Sequence, residues 1–181
     1  MAKEPKILTF DEFADELLIE RQGRALVILA AAKVDLQLGA LLEVFLLPRA
    51  VLAKPDELLE GDTPLATFSS RIKIARRLGL IDDRLATALD KLRGVRNQAA
   101  HWVSFGITDA PLNDQIRYLQ SIVKGRRSYS LTVARFFGEN SLTPHESLQA
   151  TLLTLSAILE SIRAALESGS ATKLTKAMNV D

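Results

Sequence analysis

The chain has 181 residues, enough for one domain with a sizeable core. With 48% hydrophobic and 25% charged residues and a net charge of +1, it reads as an ordinary globular protein, and the charge by itself points to neither a nucleic acid nor a membrane. There is no cysteine, which excludes disulfides and thiol chemistry and makes a reducing cytoplasm the expected compartment.

Residues 1–8 read as a tail without the apolar segment of a signal peptide. Thr9, followed three residues later by Glu12, has the pattern of a capping box, so a first helix is expected from Phe10 to about Arg21. Its face carries Asp11, Glu12, Asp15, Glu16 and Glu20, read as a solvated acidic surface. Gly23 marks a break. A second helix then runs to Leu47 and stops before Pro48. It is apolar almost all round, as in a helix surrounded by others, and Lys33, Asp35, Gln37 and Glu43 argue against a membrane span. A carboxylate on such a helix must be paired or stay wet, and the expected partner of Asp35 is an arginine from the middle of the chain.

Lys54-Pro55-Asp56-Glu57 opens a short helix ending near Gly61. Thr63-Pro64 has the form of an N-cap and first helical residue, and Leu65, Phe68, Ile72, Ala75 and Leu78 follow at helical spacing, with Gly79 as the stop. Asp82 or Asp83 caps the next helix, which carries Leu85, Leu89 and Leu92 and continues to about Val103. A loop at 106–111 precedes a helix from Pro111 to Val123. Residues 124–143 are the least regular, with a helical turn or an extended piece between Ser130 and Phe137. Thr143-Pro144-His145-Glu146 is a second strong helix start. Leu148, Leu152, Leu155, Leu159, Ile162 and Leu166 then give a long amphipathic helix ending near Gly169, with a seam that could serve a dimer. Residues 170–181 read as a second tail. The expected architecture is therefore all-α, a single-domain bundle of six or seven helices over residues 9–169. The 6% aromatic content leaves its core mostly to Leu, Ile, Val and Ala.

Most familiar chemistries are absent. Two histidines, no cysteine and no His-Glu-x-x-His give no expected metal site. No glycine-rich loop offers a cradle for a nucleotide, so no cofactor is expected, and no serine sits in a nucleophile elbow. What remains is Arg96-Asn97-Gln98-Ala99-Ala100-His101. On a helix, Arg93, Asn97 and His101 share one flank, while Arg96 and His101 point about 140° apart. They could act together if the helix end loosened or a second chain supplied its own pair. A histidine can move a proton during RNA cleavage by the 2′-hydroxyl, an arginine can stabilise charge on the phosphate, and Asn97 could orient either. The structural alternative is that Arg96 is a buried ion-pair arginine, with Asn97 and His101 bonding loop backbone. His145, in the first turn of the last helix, reads as a surface residue.

Arg96, a polar neighbour and His101 five residues on resemble the signature of HEPN-type nucleases, all-helical proteins that build one cleft between two subunits. A longer resemblance covers about 40 residues, Pro64-Leu65-x-x-Phe68-Ser69-x-Arg71-Ile72-Lys73-Ile74-Ala75-x-x-Leu78-Gly79-Leu80-Ile81 and Leu89-x-x-Leu92-Arg93-x-x-Arg96-Asn97-x-x-Ala100-His101. This run looks like the mannitol operon repressor (MltR) family. The resemblance implies a helical cytoplasmic protein linked to transcriptional regulation, without a DNA-binding domain of its own and acting through protein partners.

Residues 74–85 also mimic a helix-turn-helix, whose second helix would enter the major groove. Asp82 and Asp83 at its opening would meet phosphates, so sequence-specific DNA is not the expected partner. Arg117, Lys124, Arg126, Arg127 and Arg135 form a second basic stretch with Tyr118 and Tyr129 interleaved and no acid between. That mixture suits single-stranded nucleic acid, although a solvated loop would look the same. The reading is a regulator of the MltR type, a homodimer with a protein partner. The alternative is a metal-independent RNase, a toxin-like enzyme, with His101 as acid/base and Arg96 as phosphate clamp.

Overall fold

A computed structural model describes residues 8–46, 58–59, 61–110, 112–138 and 141–169. They form seven helices and no strand: α1 (Phe10–Ile19), α2 (Gly23–Phe45), α3 (Phe68–Arg77), α4 (Asp83–His101), α5 (Leu112–Lys124), α6 (Arg127–Phe136) and α7 (Pro144–Glu167). The fold is an all-α single-domain bundle. α2, α4, α5 and α7 pack in a closed ring, each against the next, with α2 against α7 the most extensive contact. α1 lies on α7 and α2, α3 on α2 and α4, and α6 on α7 and α5.

The helix starts follow local chemistry. Thr9 and Glu12 form a reciprocal capping box, and so do Thr143 and Glu146 ahead of Pro144. Hydrogen bonds from the hydroxyl and backbone N–H of Thr143 hold the Glu146 carboxyl below its ordinary value. A depressed folded-state pKa contributes stability above the unfolded value, and that contribution disappears as pH falls through the folded one. Thr143→Ala is expected to lower stability by about 1 kcal/mol near neutral pH. It should also flatten the acid side of the stability profile, as read by urea unfolding across pH.

α7 shows why this chain collapses as it does. Every residue from Ser147 to Ser156 is buried, and the Leu148–Ile162 part of the expected seam packs inside this chain. The buried hydroxyls of Thr151 and Thr154 bond back to the carbonyls of Ser147 and Ala150. Gln149 reaches across to the free carbonyls that end α1, those of Leu17 and Leu18. Gln37 of α2 ties α7 through the Ser156 carbonyl and the Glu160 carboxylate. Lys33, otherwise buried on α2, donates to the Leu8 carbonyl, and burial pushes its pKa down. By length and composition α2 could cross a membrane, yet most of its apolar window is packed inside the bundle.

Three local expectations change. The third helix starts at Phe68, capped by Thr67, whose side chain accepts from the Ser70 N–H, and not at Thr63-Pro64. Thr63 instead bonds the Leu58 carbonyl, and residues 61–66 turn so that the Leu65 carbonyl faces Arg71. α4 ends at His101, two residues early. The irregular stretch after Val123 contains a full ten-residue helix, α6. Gly79, at φ 71°, ends α3 as expected. The short helix expected at 54–61 and the stop at Pro48 fall largely outside the described residues, as do both tails apart from Leu8.

Candidate functional site

The site begins with an ion pair. Asp35 sits midway along α2, and Arg71 of α3 meets it at 2.9 Å. The same guanidinium donates to the carbonyls of Asp35, Leu65 and Leu59, so one side chain ties Leu59, Leu65 and α3 to α2. It comes this close because Gly39 has no side chain: a Cβ there would stand 3.4 Å from the guanidinium carbon. Burial raises the Asp35 pKa, while Arg71 and then Arg96 pull it back. The expected arginine partner from the middle of the chain is thus Arg71, and the buried-ion-pair role does not fall to Arg96.

Arg96 is exposed, and its Nη1 donates to Asn97 Oδ1 at 3.2 Å. Arg93, Arg96 and Asn97 line one side of a cleft of about 310 Å³, facing Asp35 and the start of α3 at Thr67–Ser69. Ala31, Ala32 and Ala66 make its small-residue walls. Arg93 is drawn to Asp90, and Arg71 offsets Asp35, which leaves Arg96 as the net positive charge. His101 does not line this cleft. It is the exposed last residue of α4, and its ring makes no hydrogen bond to a described residue. The structure therefore brings Arg96 and Asn97 together and leaves His101 about 140° round the helix, as the geometry requires. Among the described residues no group of three His, Asp or Glu is placed to hold a metal ion.

The basic stretch does not form one surface. Arg126 is only 3% exposed and pairs with Asp82 at 2.9 Å, so the expectation that it meets nucleic acid is corrected: its charge is committed to holding α6 against the start of α4. Arg127 and Arg135 border a mainly apolar cleft of about 390 Å³ with Phe10, Leu131 and Phe136. Arg135 also bonds Asp11 and stacks on Phe10 and Phe136. Arg117 and Lys124 line a different groove, on α5. Tyr118 is half-exposed beneath Lys91, and Tyr129 packs on the core. His145 is half-buried, its Nε2 2.9 Å from the Glu20 carbonyl, and so is less exposed than expected.

The helix-turn-helix look-alike is part of the core. α4 buries Leu85, Ala86, Ala88, Leu89, Leu92, Val95 and Ala99. Asp82 accepts from the Leu85 N–H at its start, and Asp83 pairs with Arg76.

One feature escaped the sequence reading. Just after α4, Trp102 is 39% exposed and Val103 fully exposed, on backbone that Arg24 holds by donating to both carbonyls at 2.7 and 2.9 Å. Arg24 in turn stacks over Phe105. The available signal was an apolar pair, Trp102-Val103, at a helix end.

Comparison of the sequence with protein-family models and with curated proteins finds no match. Among solved structures, the chain is similar to a protein described as a possible transcriptional regulator, YggD from Shigella flexneri. The two share 17% identity at a TM-score of 0.59, over 89% of this chain and 98% of that one. At this identity the likeness is one of fold, and it runs through nearly the whole of both chains.

Proposed function

We propose that this chain is a transcriptional regulator of the MltR type that acts by binding a protein, and not by placing a helix in DNA. The sequence run from Pro64 to His101 and the fold likeness to a possible regulator support the regulatory part. The observation that carries the partner part is α4. The helix that would have to read the major groove is packed into the bundle and opens with two carboxylates. The surface we assign to the partner is Trp102-Val103, an exposed apolar pair on backbone already fixed by Arg24, as suits a preorganised anchor.

Transcript profiles of host cells with and without the chain test this reading. A defined set of transcripts should change on its removal. Val103→Asp, folded normally by circular dichroism, should behave like removal. An unchanged profile on removal overturns the regulatory reading, and a fully active Val103→Asp protein overturns this surface.

One observation favours a second reading, a metal-independent RNase. Arg96 is exposed beside Asn97 and has no ion-pair partner among the described residues, as a phosphate clamp requires. His101 would then come from the second copy of a homodimer. RNA cleavage in EDTA by the parent, abolished in His101→Ala, would establish it, and absence of cleavage would retire it.

A further inference from the structure

The groove between α5 and the start of α7 is built differently from the rest of the surface. Asn113, Arg117, Gln120 and Lys124 fall within about 60° of one another around α5, so they form one polar stripe beside its buried face. That stripe lines a groove of about 280 Å³ whose other wall is Leu142, Pro144 and Ser147. Among the described residues, no Asp or Glu lines it. Arg76, Arg93, Arg126, Arg135 and Arg163 each hold a carboxylate, whereas Arg117 and Lys124 make no ion pair among the described residues.

A second, independent observation lies on the inner wall. Ser147 is 7% exposed, and its hydroxyl has no hydrogen-bond partner among the described residues. A buried polar group without a hydrogen-bond partner destabilises a fold, so an unpaired hydroxyl in the lining that also holds Arg117 and Lys124 needs an explanation. Gln120, 9% exposed, likewise makes no side-chain hydrogen bond to a described residue.

We propose that this groove binds a small phosphate monoester. Its side chains offer a guanidinium fork, an ammonium, two amides and a hydroxyl, a set rich in donors and matched to an oxygen-rich anion. Two cations with no opposing acid among the described residues suit a group carrying about −1.5 to −2 charge near neutral pH. The volume is near the lower end for small-molecule sites, which fits a phosphate with a short polar body. An RNA strand would need the cations to continue beyond the groove. Arg126 is buried, and Arg127 and Arg135 line another cleft. The site goes beyond the regulatory reading and stands without it.

Titration calorimetry tests the site with inorganic phosphate and with glycerol phosphate, at ionic strength held constant with chloride. The parent protein should bind with saturation at one site per chain. Arg117→Ala and Lys124→Ala should each weaken binding by about tenfold. Ser147→Ala should weaken it by about threefold while leaving the urea midpoint unchanged or higher, because it removes the unpaired hydroxyl. Arg77→Ala, exposed at the end of α3 and outside every cleft described, should leave it unchanged. Lack of saturable binding overturns the proposal, as does equal weakening by Arg77→Ala. So does binding of an RNA oligonucleotide through Arg117 and Lys124 when neither small phosphate binds.

Discussion

Arg71→Ala is expected to destabilise the fold by about 3–5 kcal/mol, read as the shift in a urea unfolding transition. The loss arises because Asp35 keeps its charge without a partner while the carbonyls of Leu59 and Leu65 lose their donor. Arg71→Lys should recover little, since an ammonium cannot reach acceptors spread around a planar fork. Asp35→Asn should behave differently. Burial raises the Asp35 pKa even with Arg71 in place, so the ionised form is the one the fold disfavours. By linkage, its contribution favours the folded state at low pH and is lost as pH rises from the ordinary aspartate value through the raised one. Asp35→Asn removes that dependence and should be much milder than Arg71→Ala. In Arg71→Ala the Asp35 pKa rises further, so its deficit should be larger at neutral pH than in acid. A deficit independent of pH would contradict this account of the pair.

Arg126→Ala is the second large effect, expected at about 3 kcal/mol or more. The guanidinium is buried and holds both oxygens of Asp82, the residue that caps α4. Removing it leaves a void at the α4–α6 junction and a cap carboxylate without its counter-charge. Because the desolvated charge is the difficulty, Arg126→Met combined with Asp82→Asn should fall much closer to the parent, retaining side-chain volume and a capping oxygen. If the single and double variants lose equal stability in urea, the ion pair is not what Arg126 supplies.

What was legible in the sequence was mostly local. Thr9 with Glu12, Thr143 with Pro144 and Glu146, and Gly79 each announce a helix end through chemistry within four residues, and each is found there. The boundary at Thr63-Pro64 failed because Thr67 offers an equally good cap, and the choice is made by Arg71 reaching backward to Leu65 and Leu59. α6 was hidden because Ser-Tyr-Ser-Leu-Thr-Val is a poor helix-forming run, overridden by packing on α7.

The same distinction runs through the candidate sites. The need of Asp35 for an arginine was readable from its place on an apolar helix, but its partner lies 36 residues away. Arg126 and its neighbours were read as one basic run, yet the fold sends Arg126 inward to Asp82, Arg127 and Arg135 to one cleft, and Arg117 and Lys124 to another. The α5 stripe was present in the spacing of Asn113, Arg117, Gln120 and Lys124. Apolar periodicity does not register it, because its members are polar.

Under the proposed function, this chain regulates through a partner and does not itself read DNA. Fluorescence anisotropy tests it most directly, with the purified protein and labelled duplexes from the genes whose transcripts respond to its removal. The expected result is no binding tighter than the general electrostatic range, a Kd of roughly 10⁻⁴–10⁻⁶ M at physiological salt and independent of sequence. A sequence-specific complex with a Kd of about 10⁻⁸ M or below would contradict it.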